Sequence, residues 1–138
     1  KKLNVNLMGW TIRPMICYDL RFPVWTKNHF DEKNGFEYDL AIYIANWPAV
    51  RSYPWKTLLL ARSIENQAYT IGLNRVGIDG PGNKYSGDSM IVDPKGMILE
   101  QGIEGQEQAL SITLSHNDLE EFRNSFNVGL DWDSFTIE

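Results

Sequence analysis

The chain has 138 residues, of which 43% are hydrophobic and 22% are charged, which is enough for one compact domain with its own core. The net charge of −5 at pH 7 argues against nucleic-acid binding, which usually requires a basic surface. The apolar runs are too short to span a bilayer, and no signal peptide is visible. Composition therefore predicts a folded domain without a nucleic-acid or membrane partner.

Cys17 is the single cysteine of the chain, so an internal disulfide framework is excluded and a reducing, cytoplasmic location is expected. One cysteine and two histidines, His29 and His116, do not readily build a closed zinc site. We interpret both histidines as surface residues of helices, and we predict no metal site.

The first forty residues predict a hairpin, a helix and a loop. Residues 3–8 alternate apolar and polar side chains, as a half-buried strand does, and residues 11–16 predict a second strand after a turn at Gly9 and Trp10. Residues 22–30 predict a short helix with Pro23 in its first turn. Residues 31–39 are polar and predict a loop.

The middle of the chain predicts a strand, a helix and a strand. The continuous apolar run 40–46 is typical of a strand covered on both faces, and residues 46–54 follow it as a loop. Apolar residues recur at spacings of three and four over 55–67, which predicts a helix. Residues 69–76 predict a further strand, and residues 77–87 a glycine-rich loop.

The last third predicts three strands and a helix. Strands are expected at 88–94 and 97–102, joined by a Pro-Lys-Gly turn, and alternation predicts another at 108–115. Ser115 is expected to cap a helix over 116–124, because Asp118 follows at the spacing of a capping box. The order of elements predicts an α/β fold with a mixed sheet.

The surroundings of Cys17 leave two interpretations open. The thiol ends an apolar strand, and a sharp turn into a helix follows; such a position can lower a thiol pKa and offer backbone N–H groups to an oxyanion. A lone cysteine at the end of a strand is equally typical of a small core residue. Local sequence does not choose between nucleophile and core residue.

Other candidate sites are weaker. The spacing of His29 and His116 from Cys17 matches no local signature of a Cys–His pair, so such a pair is not favoured. Arg62 and Glu65 lie three residues apart on the predicted helix, which indicates a structural ion pair. The loop 77–87 lacks the glycine patterns that bind phosphate.

Four linked segments carry a resemblance to a known family. The segment GWTIRPMICYDLRFP resembles the nucleophile segment of the nitrilase superfamily, the carbon–nitrogen hydrolases. Three more segments, YDLAIYIANWP, WKTLLLARSIENQAYTIGLNRVG and YSGDSMIVDPKGMIL, follow in the family order and spacing. The CYDLRFP form, the ANWP loop and the WDSFTI ending are most similar to the omega-amidase branch, which hydrolyses monoamides of 2-oxo dicarboxylic acids such as 2-oxoglutaramate.

The resemblance implies an α-β-β-α sandwich and a Glu–Lys–Cys catalytic set. Cys17 falls on the nucleophile position, which forms a thioester with the acyl group of a small amide. The Tyr18 backbone N–H falls on the oxyanion position. Neither a metal nor an organic cofactor is implied, and a homodimer formed through a helix face is expected.

The chain departs from the family because the catalytic glutamate and lysine precede the cysteine there. Lys1 and Lys2 stand too close to the strand of Cys17 to supply the lysine. We therefore interpret residues 1–138 as the C-terminal half of a single hydrolase domain, with the N-terminal half absent. This half-sandwich, with a mixed sheet and helices on one face, is expected to be inactive and poorly stable alone, and to expose the apolar face that the missing strands cover.

Five further residues are candidate substrate contacts. Asn46 and Trp47 follow a central strand and should line the pocket near Cys17, whereas Arg21, Arg51 and Arg75 are candidates for binding a substrate carboxylate. Each arginine is also a candidate partner in a structural ion pair. Two alternatives to an omega-amidase stay open: a carbamoylase or other small-amide hydrolase, and a non-catalytic binding protein.

Overall fold

The computed structural model describes residues 2–136. Its α-helices are α1 (Pro23–Thr26), α2 (Ser52–Asn66) and α3 (His116–Ser125). Three 3-10 turns lie at Cys17–Arg21, Ala49–Arg51 and Val128–Asp131. In chain order the strands are β1 (Val5–Leu7), β2 (Trp10–Ile16), β3 (Phe30–Asp31), β4 (Gly35–Phe36), β5 (Leu40–Ala45), β6 (Tyr69–Asn74), β7 (Val76–Ile78), β8 (Lys84–Ser86), β9 (Met90–Val92) and β10 (Ile98–Gln101).

A six-stranded mixed sheet runs in the order β1-β2-β5-β6-β9-β10. The central strands β2, β5 and β6 are parallel, with Ile16 opposite Ile44 and Ala45 opposite Asn74. The outer pairs β1–β2, β6–β9 and β9–β10 are antiparallel. The predicted mixed α/β sheet and the predicted first hairpin are confirmed. The carboxyl ends of three parallel strands therefore meet at one edge of the sheet.

Helix α2 covers one face of this sheet. Trp55 and Leu59 on the helix are fully buried against Tyr43 of β5 and Met90 of β9. Gly72 of β6 lets the helix approach closely, because a Cβ atom there would lie 2.8 Å from Cζ2 of Trp55. This close-packed layer is the main hydrophobic core of the molecule.

The opposite face of the sheet carries apolar side chains that α2 cannot reach. At the carboxyl end of the parallel strands, Ile16, Ile44 and Leu73 are 72%, 57% and 54% exposed. At the other end, Leu119 of α3 packs in a smaller cluster with Leu40. Helices were expected on one face of the sheet only. Helix α2 covers that face, whereas α3 packs against the far end of the second face. The exposure of this apolar face agrees with the prediction for a half-sandwich.

Helix α3 is fastened to the amino ends of the central strands by Arg123, which is 3% exposed. Its Nε and Nη2 donate to the carbonyl oxygens of Gln67 and Tyr38, both at 2.9 Å, and its Nη1 lies 2.7 Å from Asp39 Oδ1. The predicted cap is confirmed, since Ser115 Oγ accepts from the Asp118 N–H at 3.1 Å.

Several local predictions are wrong. The helix expected over 22–30 ends at Thr26, and Phe30 then pairs with Phe36 in the β3–β4 hairpin, inside the stretch predicted as a loop. The glycine-rich loop 77–87 contains most of the β7–β8 hairpin. Residues 108–115 are assigned to no strand. Within residues 2–136, no helix combines the length and the apolar character needed to cross a membrane.

Candidate active site

Cys17 is the first residue after β2 and adopts an unusual backbone conformation. Its φ is +37°, in the left-handed region that L-residues other than glycine rarely enter. Ile16 before it is extended, and Asp19 two residues later accepts the Ile16 N–H at 2.9 Å through Oδ2. Strained backbone of this kind concentrates at functional sites. The chain turns sharply at Cys17–Arg21, at the carboxyl edge of the sheet. The sequence predicted this sharp turn.

An open cavity of about 380 Å³ brings together most of the predicted site residues. It contains Cys17 and two neighbours from the 3-10 turn, together with residues of the segment that follows β5. The neighbouring ends of β2 and β5 explain this meeting, because parallel strands present their carboxyl ends at one edge. The lining residues are Cys17, Tyr18, Arg21, Asn46, Trp47, Pro48 and Arg51.

Trp47 forms a fixed wall of this cavity and is only 3% exposed. Its backbone N–H donates to Asn74 Oδ1 at 2.7 Å, and its carbonyl oxygen accepts from Asn74 Nδ2 at 3.0 Å. Its indole N–H donates to the Arg51 carbonyl oxygen at 2.7 Å. Both ends of the residue are therefore held. Asn74 was not among the predicted site residues, although it is the last residue of β6 and the same rule of strand ends applies to it.

The three candidate arginines separate in the structure. The Arg21 guanidinium carbon lies 4.7 Å from the ring centroid of Trp47, so the cation stacks on the cavity wall. Arg51 lines the same cavity from the 3-10 turn before α2 and is exposed. Arg75 lies elsewhere, stacked over Tyr85 at 4.5 Å and facing a separate cavity. Arg75 is thus not brought together with Cys17.

That separate cavity is larger, about 640 Å³, but carries no thiol. It lies between β6, β9 and the coil at Gly102–Leu110. Size alone would select it as the site. The cavity beside Cys17 is the better candidate, because it is lined by a cysteine with a strained backbone and by two arginines.

Among the described residues, the charged side chains that line the cavity beside Cys17 are both cationic. The cavity offers a thiol, the backbone of the turn after that thiol and two cationic groups, which suit an anionic or oxyanionic ligand. Tyr18 also lines the cavity, and its side chain is 64% exposed and lies edge-on to Phe22. Among residues 2–136, no carboxylate or lysine lines this cavity.

Lys2 does not line the cavity that contains Cys17. Lys2 lies 3.4 Å from Glu37 Oε2, beside the Arg13–Glu37 ion pair. Lys1 lies outside the residues that the structure describes. That neither lysine supplies the catalytic lysine stays a prediction.

The histidines lie away from the cavity as well. His116 begins α3, with Nε2 at 3.6 Å from Asp39 Oδ2, and Glu120 completes a group of side chains that could hold a cation. The Arg123 guanidinium already lies against both carboxylates, so this group is a structural ion-pair cluster. His29 was predicted on a helix, but it lies in exposed coil.

Comparisons with known proteins agree with this geometry. Residues 4–124 match the model of the family described as carbon-nitrogen hydrolase. The Omega-amidase YafV of Escherichia coli K12 is 48% identical over 136 residues, covering 99% of this chain and 51% of that protein. The 2-oxoglutaramate amidase of Bacillus subtilis is 38% identical over 96 residues, covering 70% of this chain and 34% of that protein.

Solved structures give the same result. XC1258 from Xanthomonas campestris, a CN-hydrolase superfamily protein with an arsenic adduct in its active site, superposes with a TM-score of 0.96 at 44% identity. The match covers 100% of this chain and 52% of that one, and it confirms the predicted fold class. The chain thus spans about half the length of the relatives that it matches over nearly all its residues.

Proposed function

Because the chain belongs to the carbon-nitrogen hydrolase family, as its four motifs predicted, we propose that the complete protein is an amidase that uses Cys17 as its nucleophile. Its substrate is a small carboxamide, and its products are the carboxylic acid and ammonia. The single observation that carries the proposal is the position of Cys17. Its backbone is strained at the edge of the sheet, and the residue lines a cavity with Arg21 and Trp47. The similarity to the omega-amidase of E. coli supports the same activity.

The proposed reaction has two halves. The Cys17 thiolate attacks the amide carbonyl carbon, and the Tyr18 N–H donates to the oxyanion that forms. The C–N bond then breaks, the nitrogen takes a proton from a general acid, and ammonia leaves a thioester on Cys17. Water attacks the thioester with help from the same group acting as a base, the C–S bond breaks, and the acid and the thiol are released.

The proposed glutamate and lysine of this reaction lie outside the chain. No lysine or carboxylate among the described residues lines the cavity, and the match to relatives covers about half of their length. We propose that residues 1–138 are the second half of one hydrolase domain. The preceding half would supply both groups and would cover the face that exposes Ile16, Ile44 and Leu73.

We further propose a substrate that bears a carboxylate, as 2-oxoglutaramate does. Arg21 and Arg51 both line the cavity, and a guanidinium binds a carboxylate through two parallel hydrogen bonds. Stacking on Trp47 holds the Arg21 plane in place, which reduces the entropy lost on binding. The similarity to a 2-oxoglutaramate amidase supports this substrate class.

A cytoplasmic homodimer completes the proposal. The single free thiol suits a reducing compartment. The outer side of α2 presents Tyr53 and Ile64 as exposed apolar side chains that a second copy would cover.

The test is ammonia release by the complete protein. We expect turnover of 2-oxoglutaramate, slower turnover of an uncharged amide of similar size, and little turnover of N-carbamoyl amino acids. Cys17→Ser and Cys17→Ala are expected to abolish release while far-UV circular dichroism stays unchanged. Faster turnover of the carbamoyl substrate would favour the carbamoylase alternative. Full activity of Cys17→Ala would refute the role of the thiol, and an inactive wild type would favour a binding protein.

A further inference from the structure

The turn that carries Cys17 is held from beneath by one buried arginine. Arg62 lies in α2 and is 4% exposed, and its Nη2 donates to the carbonyl oxygen of Leu20 at 2.6 Å. Its Nη1 donates to Glu65 Oε1 at 2.9 Å, which confirms the predicted ion pair. Leu20 itself is fully buried in the core. Both the side chain and the carbonyl of Leu20 are therefore fixed, three residues after the nucleophile.

The conformation of Cys17 requires such support. A left-handed residue other than glycine costs about 1–2 kcal/mol, and it persists only where its surroundings impose it. At the start of the turn, the Asp19 carboxylate accepts a hydrogen bond from the Ile16 N–H. Near its end, the Arg62 guanidinium donates a hydrogen bond to the Leu20 carbonyl oxygen. Cys17 lies between these two attachments.

The same stretch of α2 also fastens the chain that follows the turn. Lys27 Nζ donates to the Glu65 carbonyl oxygen at 2.9 Å. Asn66 Oδ1 accepts from the Asn28 N–H at 2.8 Å, in a fully buried contact. The segment from Leu20 to Asn28 is therefore held at three places by one helix face.

The identity of residue 62 is informative. A buried guanidinium loses its hydration, and an apolar side chain of similar volume often stabilises a core better. The buried Nε of Arg62 has no hydrogen-bond partner among the described residues. Arg62 does not line the cavity of Cys17, so it reaches the site only through the backbone of the turn.

We propose that Arg62 is a positioning residue for Cys17. It holds the Leu20 carbonyl so that the turn keeps the thiol pointing into the cavity, next to the backbone N–H groups of the turn. It contacts no substrate. The inference rests on the proposed role of Cys17 and adds a residue that acts on the geometry of the nucleophile.

The test compares two buried arginines in the complete protein. Arg62→Met and Arg62→Lys remove or weaken the bond to the turn. Arg123→Met is the matched control, because Arg123 is also buried, donates to two carbonyl oxygens and pairs with a carboxylate, but at the opposite end of the strands. The readouts are the pH profile of Cys17 alkylation by iodoacetamide and the separate values of kcat and KM.

For Arg62→Met we expect kcat to fall about ten- to a hundredfold with KM within about twofold, because a misplaced reacting group slows chemistry more than binding. The pH profile of alkylation should differ from that of wild type, because the thiol no longer faces the backbone N–H groups of the turn. The kcat and the alkylation profile of Arg62→Lys should lie between those of Arg62→Met and wild type. If Arg62→Met does not fold, Arg62→Lys alone tests the proposal. Arg123→Met should lose thermal stability but keep the alkylation midpoint and kcat.

Equal alkylation profiles for wild type and both Arg62 variants would overturn the proposal, as would the same loss in Arg123→Met. The alkylation readout does not depend on amide turnover. If the wild type released no ammonia, the proposed function would fail, whereas a shifted midpoint confined to the Arg62 variants would still support the positioning role.

Discussion

Asn74 shows how much one side chain can fix at the residue scale. Its amide bonds both the N–H and the carbonyl of Trp47, and its Nδ2 also donates to the Gly87 carbonyl oxygen at 2.8 Å. The last residue of β6 thereby joins the wall of the cavity to the loop before β9. The position of Trp47, and of the Arg21 cation stacked on it, depends on this amide.

Asn74→Ala is expected to loosen the cavity wall. The unpaired N–H and carbonyl of Trp47 should lower the free energy of unfolding by about 1–3 kcal/mol. The KM for a carboxylate-bearing amide should rise in the complete protein because Trp47 no longer orients Arg21. Ser89→Ala is the control, since the hydrogen bonds that Ser89 Oγ forms among the described residues go to the backbone of Asn74. An equal rise in KM for Ser89→Ala would contradict this role.

Asp88 is a buried carboxylate whose charge is stabilised in the fold. Burial raises its pKa, but hydrogen bonds from Ser86 and Ser52 and the nearby Lys56 charge outweigh burial and hold the pKa below its ordinary value of 3.8. A lowered pKa in the folded state means that the charge adds stability above about pH 4 and that this contribution is lost as the pH falls through the folded value.

Asp88→Asn is therefore expected to cost about 1–3 kcal/mol at pH 7, with a difference from wild type that shrinks below about pH 4. Asparagine tolerates the left-handed φ of +56° at this position, so the change removes charge without adding strain. Urea unfolding at several pH values measures the difference. Asp133→Asn, at an exposed position, should have little effect at any pH; a difference for Asp88→Asn that is constant with pH would contradict the charge argument.

At this scale the sequence predicted contacts whose partners lie close along the chain or at the ends of adjacent strands. Arg62 and Glu65 share a helix turn, and Asn46 and Trp47 follow a strand beside that of Cys17. Arg75 was a candidate on residue type alone, and its stacking on Tyr85 depends on the β7–β8 hairpin, which the sequence did not indicate. The link from Arg62 to Leu20 joins positions 42 apart and has no local signal.

At the scale of elements, the cap of α3 follows directly from sequence. Ser115 precedes the helix, and its hydroxyl accepts the otherwise unpaired N–H of Asp118. The same helix carries Leu119 and Arg123, which close the far end of the sheet. A weakened cap should therefore affect the whole contact between α3 and the sheet.

Ser115→Ala is expected to lower the free energy of unfolding by about 0.5–2 kcal/mol, the usual cost of losing an N-cap. Amide hydrogen exchange in α3 should quicken more than in α2. Ser125→Ala provides the comparison, because Ser125 Oγ only donates to a carbonyl in the last turn of the same helix. Equal effects of the two changes would argue against a specific cap.

The wrong prediction at 108–115 has a physical reason. Alternation describes which side chains can share a face, and Leu114 does pack in the cluster with Leu119. A strand also needs a neighbour for its backbone N–H and carbonyl groups, and periodicity does not supply one. The helix expected over 22–30 failed for a related reason, because Asn28 uses its amide to bind the backbone of Tyr38 and Asn66 from α2.

At the scale of the whole molecule, the two faces of the sheet differ in their surroundings. The face under α2 is closed, and the other is open at the edge that carries the turn of Cys17. The order of strands and helices predicted the mixed sheet, because parallel neighbours require a helical crossover and the residues 55–67 provide it. The open face was predicted only through the family resemblance.

Ile44→Lys is expected to have opposite effects in two contexts. In the 138-residue chain alone it should reduce aggregation and the fluorescence of a hydrophobic dye, because Ile44 is 57% exposed. In the complete protein it should lower the free energy of unfolding by about 3–5 kcal/mol, because we propose that the preceding half covers this face.

Ile78→Lys serves as the comparison, since Ile78 is exposed on β7, outside this sheet. It should change little in either context. A complete protein that tolerates Ile44→Lys as well as it tolerates Ile78→Lys would contradict the proposal that this face is covered.

Gly72 has a consequence that reaches beyond its own strand. Because its missing side chain leaves room for Trp55 and Leu59, it sets the thickness of the layer between α2 and the sheet. Arg62 lies on the same helix and reaches across that layer to the turn of Cys17. The spacing that Gly72 allows between α2 and β6 therefore also bears on how far the Arg62 side chain must extend to reach the turn of Cys17.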